Sequence, residues 1–271
     1  MRVAALQMVS SPHVAANLDV ARQLIRQAAD AGAELAVLPE YFCLLGLKDT
    51  DKLAICETYG SGPLQDFLSQ CAHDCKLWLV GGTIPLTTGT PGKAHNSTLV
   101  YNPDGHCVSR YDKIHLFQFD DGAQSYDEAR VLLPGRQPVT FDLLSLDGHR
   151  YRVGLSICYD LRFPELYRKL AANGADLLLV PSAFTHTTGQ AHWEVLLRAR
   201  AIENLAYVLA AAQGGTHENQ RRTWGHSMVV DSWGQILAGQ DQGPGVVSAE
   251  IDRATLLAHR RRLPALDHRK L

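Results

Sequence analysis

Three segments of this 271-residue chain set a reactive side chain against a run of apolar residues. In Leu35-Ala36-Val37-Leu38-Pro39-Glu40-Tyr41-Phe42 a carboxylate follows an apolar, strand-like run. Strand ends are where α/β sheets present functional groups. A carboxylate near buried surface has its charged form disfavoured, which moves its pKa toward the range of a general base. Taken alone, Glu40 is better described as a surface residue opening a loop. In Tyr111-Asp112-Lys113-Ile114-His115-Leu116-Phe117 a lysine sits inside a strand-like run of apolar and aromatic residues. A partly buried ammonium is costly without a partner or a task. One task is to face the negative charge of a tetrahedral intermediate, where such a donor is worth ~3 kcal/mol of barrier. Read by itself, Lys113 is more simply a snorkelling lysine paired with Asp112.

The third segment, Tyr151 to Leu166, is the most informative. A buried strand runs into Cys158, and Pro164 fits the first turn of a following helix. A thiol at such a strand-to-helix elbow is held in a sharp turn, exposed to substrate, with the backbone N–H of Tyr159 free to donate to an oxyanion. A lone buried cysteine is more often an inert core residue, but this one has chemical surroundings. Two serines compete for the same role, in Gly154-Leu155-Ser156-Ile157-Cys158 and Gly225-His226-Ser227-Met228-Val229. Both lack the last glycine of a GxSxG elbow. Strand alternation also puts Ser156 on the side of Cys158 but deeper.

The elements that must position these groups alternate between short β-branched or Leu-rich runs and amphipathic stretches, as when helices cover the faces of a sheet. Val3–Met8 reads as a strand, and Ala15 to Ala31 as a helix with Gly32 as its stop. Leu35–Leu38 reads as a buried strand. The junction Gly32-Ala33-Glu34-Leu35 through Pro39 is echoed by Gly174-Ala175-Asp176-Leu177 through Pro181. A hairpin expected around Val100–Gly105 is echoed around Val229–Gly234. The chain is therefore either two equivalent halves, each a sheet with helices outside, packed as an α-β-β-α sandwich, or an α/β chain in which such junctions simply recur. No Ser- or Pro-rich linker divides it, which leaves one domain over residues 1–271.

Composition sets limits on the rest. Hydrophobic residues at 46% and charged residues at 20% describe an ordinary globular chain. A net charge of −2 gives no general attraction to nucleic acid or anionic membranes. No apolar run approaches the roughly 20 residues needed to cross a bilayer, and the first residues are too weakly basic and apolar for a signal peptide. The expectation is a cytoplasmic protein with reduced thiols at positions 43, 56, 71, 75, 107 and 158. Cys71 and Cys75, flanking His73 and Asp74, lack two further ligands nearby, so no metal site is expected. The basic tail from Arg260 reads as a solvated helix end.

In order and type, the Glu40, Lys113 and Cys158 segments resemble the motifs of the nitrilase superfamily, and the resemblance covers essentially the whole chain. It implies an α-β-β-α sandwich, a homodimer or larger oligomer, and catalytic roles for Glu40, Lys113 and Cys158. It also implies a second glutamate between the lysine and cysteine, a place that Glu128 fits. Cys158 to Glu165, the long stretch from Pro181 through Glu203, and Gly225 to Asp231 resemble the deaminated glutathione amidase branch of that family. The resemblance implies hydrolysis of the amide joining 2-oxoglutarate to cysteinylglycine through a cysteine thioester, without metal or organic cofactor. The related ω-amidase, acting on 2-oxoglutaramate, and N-carbamoyl hydrolases are the nearest alternatives. A non-catalytic scaffold is the alternative from another class, and it has no use for a lysine and a glutamate beside a thiol.

An oxo-acid substrate needs a cation. Arg162 is a candidate through bidentate contacts, although a helical pair with Glu165 is the more ordinary expectation. Phe184, Thr185 and His186 follow an apolar strand and are candidates to line the pocket. Arg221 and Arg222 either serve a carboxylate or face water.

Overall fold

The computed structural model describes residues 1–120, 122 and 125–270. The first half opens with strand β1 (Arg2–Gln7), helix α1 (Val14–Asp30), strand β2 (Leu35–Val37), helix α2 (Pro63–Cys75) and strand β3 (Trp78–Val80). Strands β4 (Ile84–Thr87), β5 (Ala94–Tyr101) and β6 (Cys107–Asp112) extend its sheet. A short ribbon of β7 (Gln118–Asp120) and β8 (Ser125–Asp127) precedes β9 (Thr140–Leu144). The second half repeats the opening with β10 (Arg150–Leu155), α3 (Pro164–Ala172), β11 (Leu177–Leu179), α4 (His186–Asn204) and β12 (Tyr207–Ala210), followed by the hairpin β13 (Ser227–Val230) and β14 (Ile236–Gln240). Strand β15 (Gly245–Glu250) returns to pair with β1, and α5 (Arg253–Arg262) follows.

Among the described residues one sheet runs β15-β1-β2-β3-β5-β4 with β6 on β5, and the other runs β14-β13-β12-β11-β10-β9. In each half three parallel strands are joined by two helices and then meet an antiparallel hairpin. The sequence echo is therefore structural. Gly32 and Gly174 both leave a helix at positive φ, +82° and +84°, the conformation in which a β-carbon is penalised. The backbone N–H groups of Glu34 and Asp176 then donate to Arg2 and Arg152 of the neighbouring strands, at 2.9 and 2.7 Å.

Strand alternation builds the layers. Val3, Ala5, Leu35, Val37 and Val80 pack in one core with Val153, Leu155, Leu177 and Leu179 of the other sheet. The intervening Ala4, Leu6, Ala36, Leu38 and Leu79 pack against Leu24 and Ile25 of α1 and Leu64 and Leu68 of α2. Period-two side chains thus feed two interfaces from each sheet, giving the expected helix–sheet–sheet–helix order. Trp193 and Leu197 of α4 and Leu170 of α3 close the second half.

Two expectations change. The strand carrying Lys113 stops at Asp112, after which the Lys113 N–H donates to Asn96 O at 2.9 Å. The basic tail is also less free than a solvated helix end, since Arg260 reaches Asp176 at 2.7 Å and the carbonyls of Ala175 and Leu205. None of the described helices is long and apolar enough to cross a membrane.

Gly82 shows how tightly the first strand end is held. Its φ is +49°, and a β-carbon there would lie 2.1 Å from the Pro39 carbonyl oxygen, one residue before Glu40. Gly82→Ala is expected to cost about 2–4 kcal/mol in urea unfolding and to lower turnover, through overpacking and a disfavoured φ. Gly89→Ala, which meets nothing within 4 Å, is the control and leaves both unchanged.

Candidate active site

Glu40 follows β2 where the two halves meet and is 1% exposed. Its Oε1 accepts from Lys113 Nζ and Asn96 Nδ2, both at 2.9 Å, and its Oε2 accepts from the Ala183 N–H of the second half at 2.9 Å. Every one of these contacts is a donor, which suits an acceptor-only carboxylate. The turn after it is fixed by Tyr41, at φ +57°, whose N–H donates to Thr83 Oγ1 at 2.9 Å.

Lys113 is fully buried and holds a second carboxylate, with Glu128 Oε2 at 2.8 Å and Oε1 at 3.0 Å. Asp112, the partner expected from sequence, instead binds Arg110 at 2.9 and 3.0 Å. Tyr41 Oη and the Phe117 N–H also donate to Glu128, at 2.8 and 2.7 Å. Burial works against both charges. The Lys113 ammonium, its attraction and hydrogen bond, and the Phe117 N–H nevertheless hold Glu128 below the usual glutamate range. For Lys113 the two carboxylates outweigh desolvation and hold its pKa above that of an ordinary lysine.

Cys158 lies at φ +48° with its N–H bonded to Pro181 O at 2.9 Å. A non-glycine residue in the left-handed region costs about 1–2 kcal/mol, and it ends the alternation expected for Ser156 and Cys158. Ser156 Oγ is tied to Tyr167 Oη and Leu179 O, each at 2.7 Å. Ser227 is equally occupied, with Gln7 and Ala212. The thiol enters the cleft beside Glu40. Burial and then the Glu40 charge push its pKa well above the usual thiol range, opposed by Lys113.

Asp160, fully buried, joins this elbow to the lysine segment. It accepts from the Ile157 N–H at 2.9 Å, Tyr111 Oη at 2.7 Å and the His115 N–H at 3.0 Å, with His115 Nδ1 at 2.7 Å. Two residues on either side of Lys113 are thereby clamped to the turn holding Cys158.

The narrow cleft is lined by Glu40, Glu128, Cys158, Tyr159, Phe184 and Thr185, together with Phe117, Ala183, Thr188 and Arg221. One expected lining residue, His186, and the expected cation, Arg162, fall elsewhere. His186 opens α4 and its ring meets Trp224 at 5.0 Å. Arg162 lies behind the wall, over the rings of Tyr159 at 5.8 Å and Phe184 at 5.3 Å, with His192 at 3.2 Å. Its expected pair with Glu165 does not form among the described residues. Asn96, Asp160 and Thr188 were not singled out by sequence. Asp160 and Thr188 lie inside stretches that carry the family resemblance, but nothing local marks the convergence of Asp160 with Tyr111 and His115. Among the described residues no group of three or more His, Cys, Asp or Glu side chains could hold a metal ion, and Cys71 and Cys75 are separate free thiols.

The raised thiol pKa has a measurable sign. Alkylation of Cys158 by iodoacetamide is therefore expected to rise only above the range where an ordinary thiol, pKa about 8.5, has ionised. In Glu40→Gln the negative neighbour is removed and the midpoint of the rate-against-pH curve moves to lower pH, as followed by mass spectrometry. An unchanged midpoint would show that Glu40 is not the charge acting on the thiol.

The carbon-nitrogen hydrolase family model matches residues 2–261. A deaminated glutathione amidase from Synechocystis is 43% identical, over 98% of this chain and 97% of that protein. The omega-amidase NIT2 of Pongo abelii is 37% identical, over 99% of this chain and 94% of its own length. The crystal structure of Saccharomyces cerevisiae Nit3, a member of branch 10 of the nitrilase superfamily, superposes with a TM-score of 0.86 at 32% identity, covering 97% of this chain and 94% of that one. With the motifs, the sandwich and these likenesses in agreement, the chain belongs to the carbon-nitrogen hydrolase family, within the nitrilase superfamily.

Proposed function

We propose that this chain hydrolyses a linear amide through a thioester on Cys158, with deaminated glutathione as substrate and 2-oxoglutarate and cysteinylglycine as products. The observation that carries the mechanism is the pairing of buried Lys113 with both Glu40 and Glu128 beside the thiol. With two carboxylates and one ammonium the group bears a net charge of −1 (−2 + 1). Ionising the thiol without removing another charge would make it −2 in a dry cleft, which explains why sulfur waits for its proton to be taken.

Glu40 accepts that proton as sulfur attacks the amide carbon. The carbonyl oxygen becomes an oxyanion, met by the Tyr159 N–H and by the third proton of Lys113, whose other two donors are held by the carboxylates. Glu128 positions the ammonium. Collapse of the intermediate breaks the C–N bond, and the proton held on Glu40 passes to the leaving amine. Water then gives its proton to Glu40 and its oxygen to the thioester carbon; as the C–S bond breaks, that proton returns from Glu40 to sulfur, releasing the acid and restoring both the thiol and the carboxylate. Phe184 and Thr185 line the space for the acyl part, and Arg162 sits behind them as a weaker candidate for its carboxylate.

Turnover of 2-oxoglutaramate is the second reading, favoured by the small volume of the cleft. The free thiols suit a reducing cytoplasm. Exposed Trp233, Ile236 and Leu237 around the β14 edge suit a homo-oligomer, which light scattering would register as a mass at least twice 29.8 kDa.

Release of 2-oxoglutarate from deaminated glutathione, compared with 2-oxoglutaramate and simple amides, tests the proposal. Cys158→Ala is expected to lower kcat by at least about a thousandfold and Glu40→Gln by a similar order. Wild-type turnover in Cys158→Ala sinks the thioester mechanism, whereas Cys158-dependent cleavage of a different amide sinks only the substrate.

A further inference from the structure

The mechanism uses neither Arg221 nor Lys52. Arg221 lines the Cys158 cleft and also a wider cleft outside it, where Lys48, Lys52, Tyr126 and Asn219 form part of the wall. Its guanidinium lies 4.8 Å from the centre of the Tyr126 ring, and its Nη2 reaches the Ala183 carbonyl only at 3.5 Å. Its Nε is buried with no hydrogen-bond partner. Lys52 Nζ lies 4.8 Å from the centre of the Tyr41 ring. Among the described residues neither Arg221 nor Lys52 has an ion-pair partner within 4.0 Å. Burial lowers the Lys52 pKa, while Glu128 and Asp49 resist the change and Arg221 adds to it.

Leaving a buried donor unsatisfied costs about 1–3 kcal/mol, and two cations near one another repel. The backbone is nonetheless fixed for the purpose. The Arg221 N–H is held by Asn219 Oδ1 at 2.9 Å, its carbonyl by the His217 N–H at 2.9 Å, and residues 216 and 222 are bridged. A planar carboxylate would use the guanidinium fork and meet the second charge on Lys52.

We propose that Arg221 and Lys52 bind a carboxylate carried on the leaving-amine side of the scissile bond. This deepens the amide-hydrolase reading and rests on it. The side follows from the order of the reaction. The acyl part stays bonded to Cys158 after the first step and must occupy the enclosed space beside Phe184 and Thr185. The amine must depart before water can enter, and the open cleft beyond Arg221 gives it a way out. A cysteinylglycine leaving group ends in such a carboxylate, whereas the ammonia released from 2-oxoglutaramate has none.

The test compares kcat/KM for deaminated glutathione with that for its C-terminal carboxamide, in wild type, Arg221→Gln and Lys52→Met. Because each ratio is taken within one protein, partial misfolding cancels. Wild type is expected to prefer the carboxylate by about tenfold or more, with most of that preference lost in either variant through a rise in KM. No preference in wild type, or the same preference in both variants, overturns the site. An equal rise in KM for 2-oxoglutaramate, whose carboxylate is on the acyl side, overturns the side assigned.

If deaminated glutathione is not hydrolysed at all, the proposed substrate fails and direct binding decides the subsite. Calorimetry on the Cys158→Ala protein then compares cysteinylglycine with cysteinylglycinamide. Preferential binding of the acid, lost in an added Arg221→Gln change, sustains the proposal. Equal binding of the two, or binding of neither, overturns it.

Discussion

An ammonium buried between two carboxylates is the constraint on which the rest of this structure depends. Removing an ion from water costs several kcal/mol even after relaxation, and the attraction repays it only when geometry is good and the remaining hydrogen-bonding capacity is filled. Lys113 meets Glu40 and Glu128 at 2.8–3.0 Å. Asn96, Ala183, Tyr41 and Phe117 supply the other donors. These partners come from both sheets and the connections between them, so the charges are stable only when the whole sandwich is assembled. The same shell gives the site its chemistry, because a compensated ammonium with one donor to spare can meet an oxyanion without reorganising.

The repeated architecture explains where such a shell can form. Each half ends its second parallel strand at a proline, Pro39 and Pro181, and the chain then turns into the space between the sheets. One turn carries Glu40. The other carries Ser182 and Ala183, and the Ala183 N–H completes the binding of Glu40. Cys158 follows the strand equivalent to β1 and is anchored to the Pro181 carbonyl. Equivalent positions therefore do different work. The first half supplies both the glutamate pair and the lysine, and the second supplies the thiol and the Ala183 amide bound to Glu40. Phe184, Thr185 and Thr188 form part of the cleft wall, and the cationic Arg221 lines both this cleft and the wider one outside it.

Holding the Cys158 thiol in place is a separate matter from setting its ionisation. The left-handed conformation of Cys158 is unfavourable and must be imposed by its neighbours. Asp160 does this through four contacts, tying the elbow to Tyr111 and His115. Each lies two residues from Lys113, so one buried carboxylate fixes the thiol and the ammonium relative to each other. The hydrophobic layers fix only the sheets. Polar contacts of this kind set the geometry within the cleft, where small displacements matter to rate.

By itself the sequence determined the alternation of strands and helices and two echoed junctions that left repeated halves open, while its resemblance to the nitrilase superfamily implied the sandwich and the short set of Glu40, Lys113, Glu128 and Cys158. The strand and helix patterns, glycine turns and motif residues that carry these readings are all local. It did not determine the partners. Lys113 was more simply paired with its neighbour Asp112, Arg162 with Glu165, and Ser156 with the face of Cys158. Tertiary structure reversed each. The lysine crosses to two carboxylates 73 and 15 residues away, the arginine stacks behind the pocket wall, and a positive φ separates the serine from the thiol. Asn96, Asp160 and the unpaired Nε of Arg221 acquire meaning only there as well. The reason is physical: hydrophobic periodicity is written along the chain, whereas the desolvation and pairing of charges depend on which distant groups burial brings together.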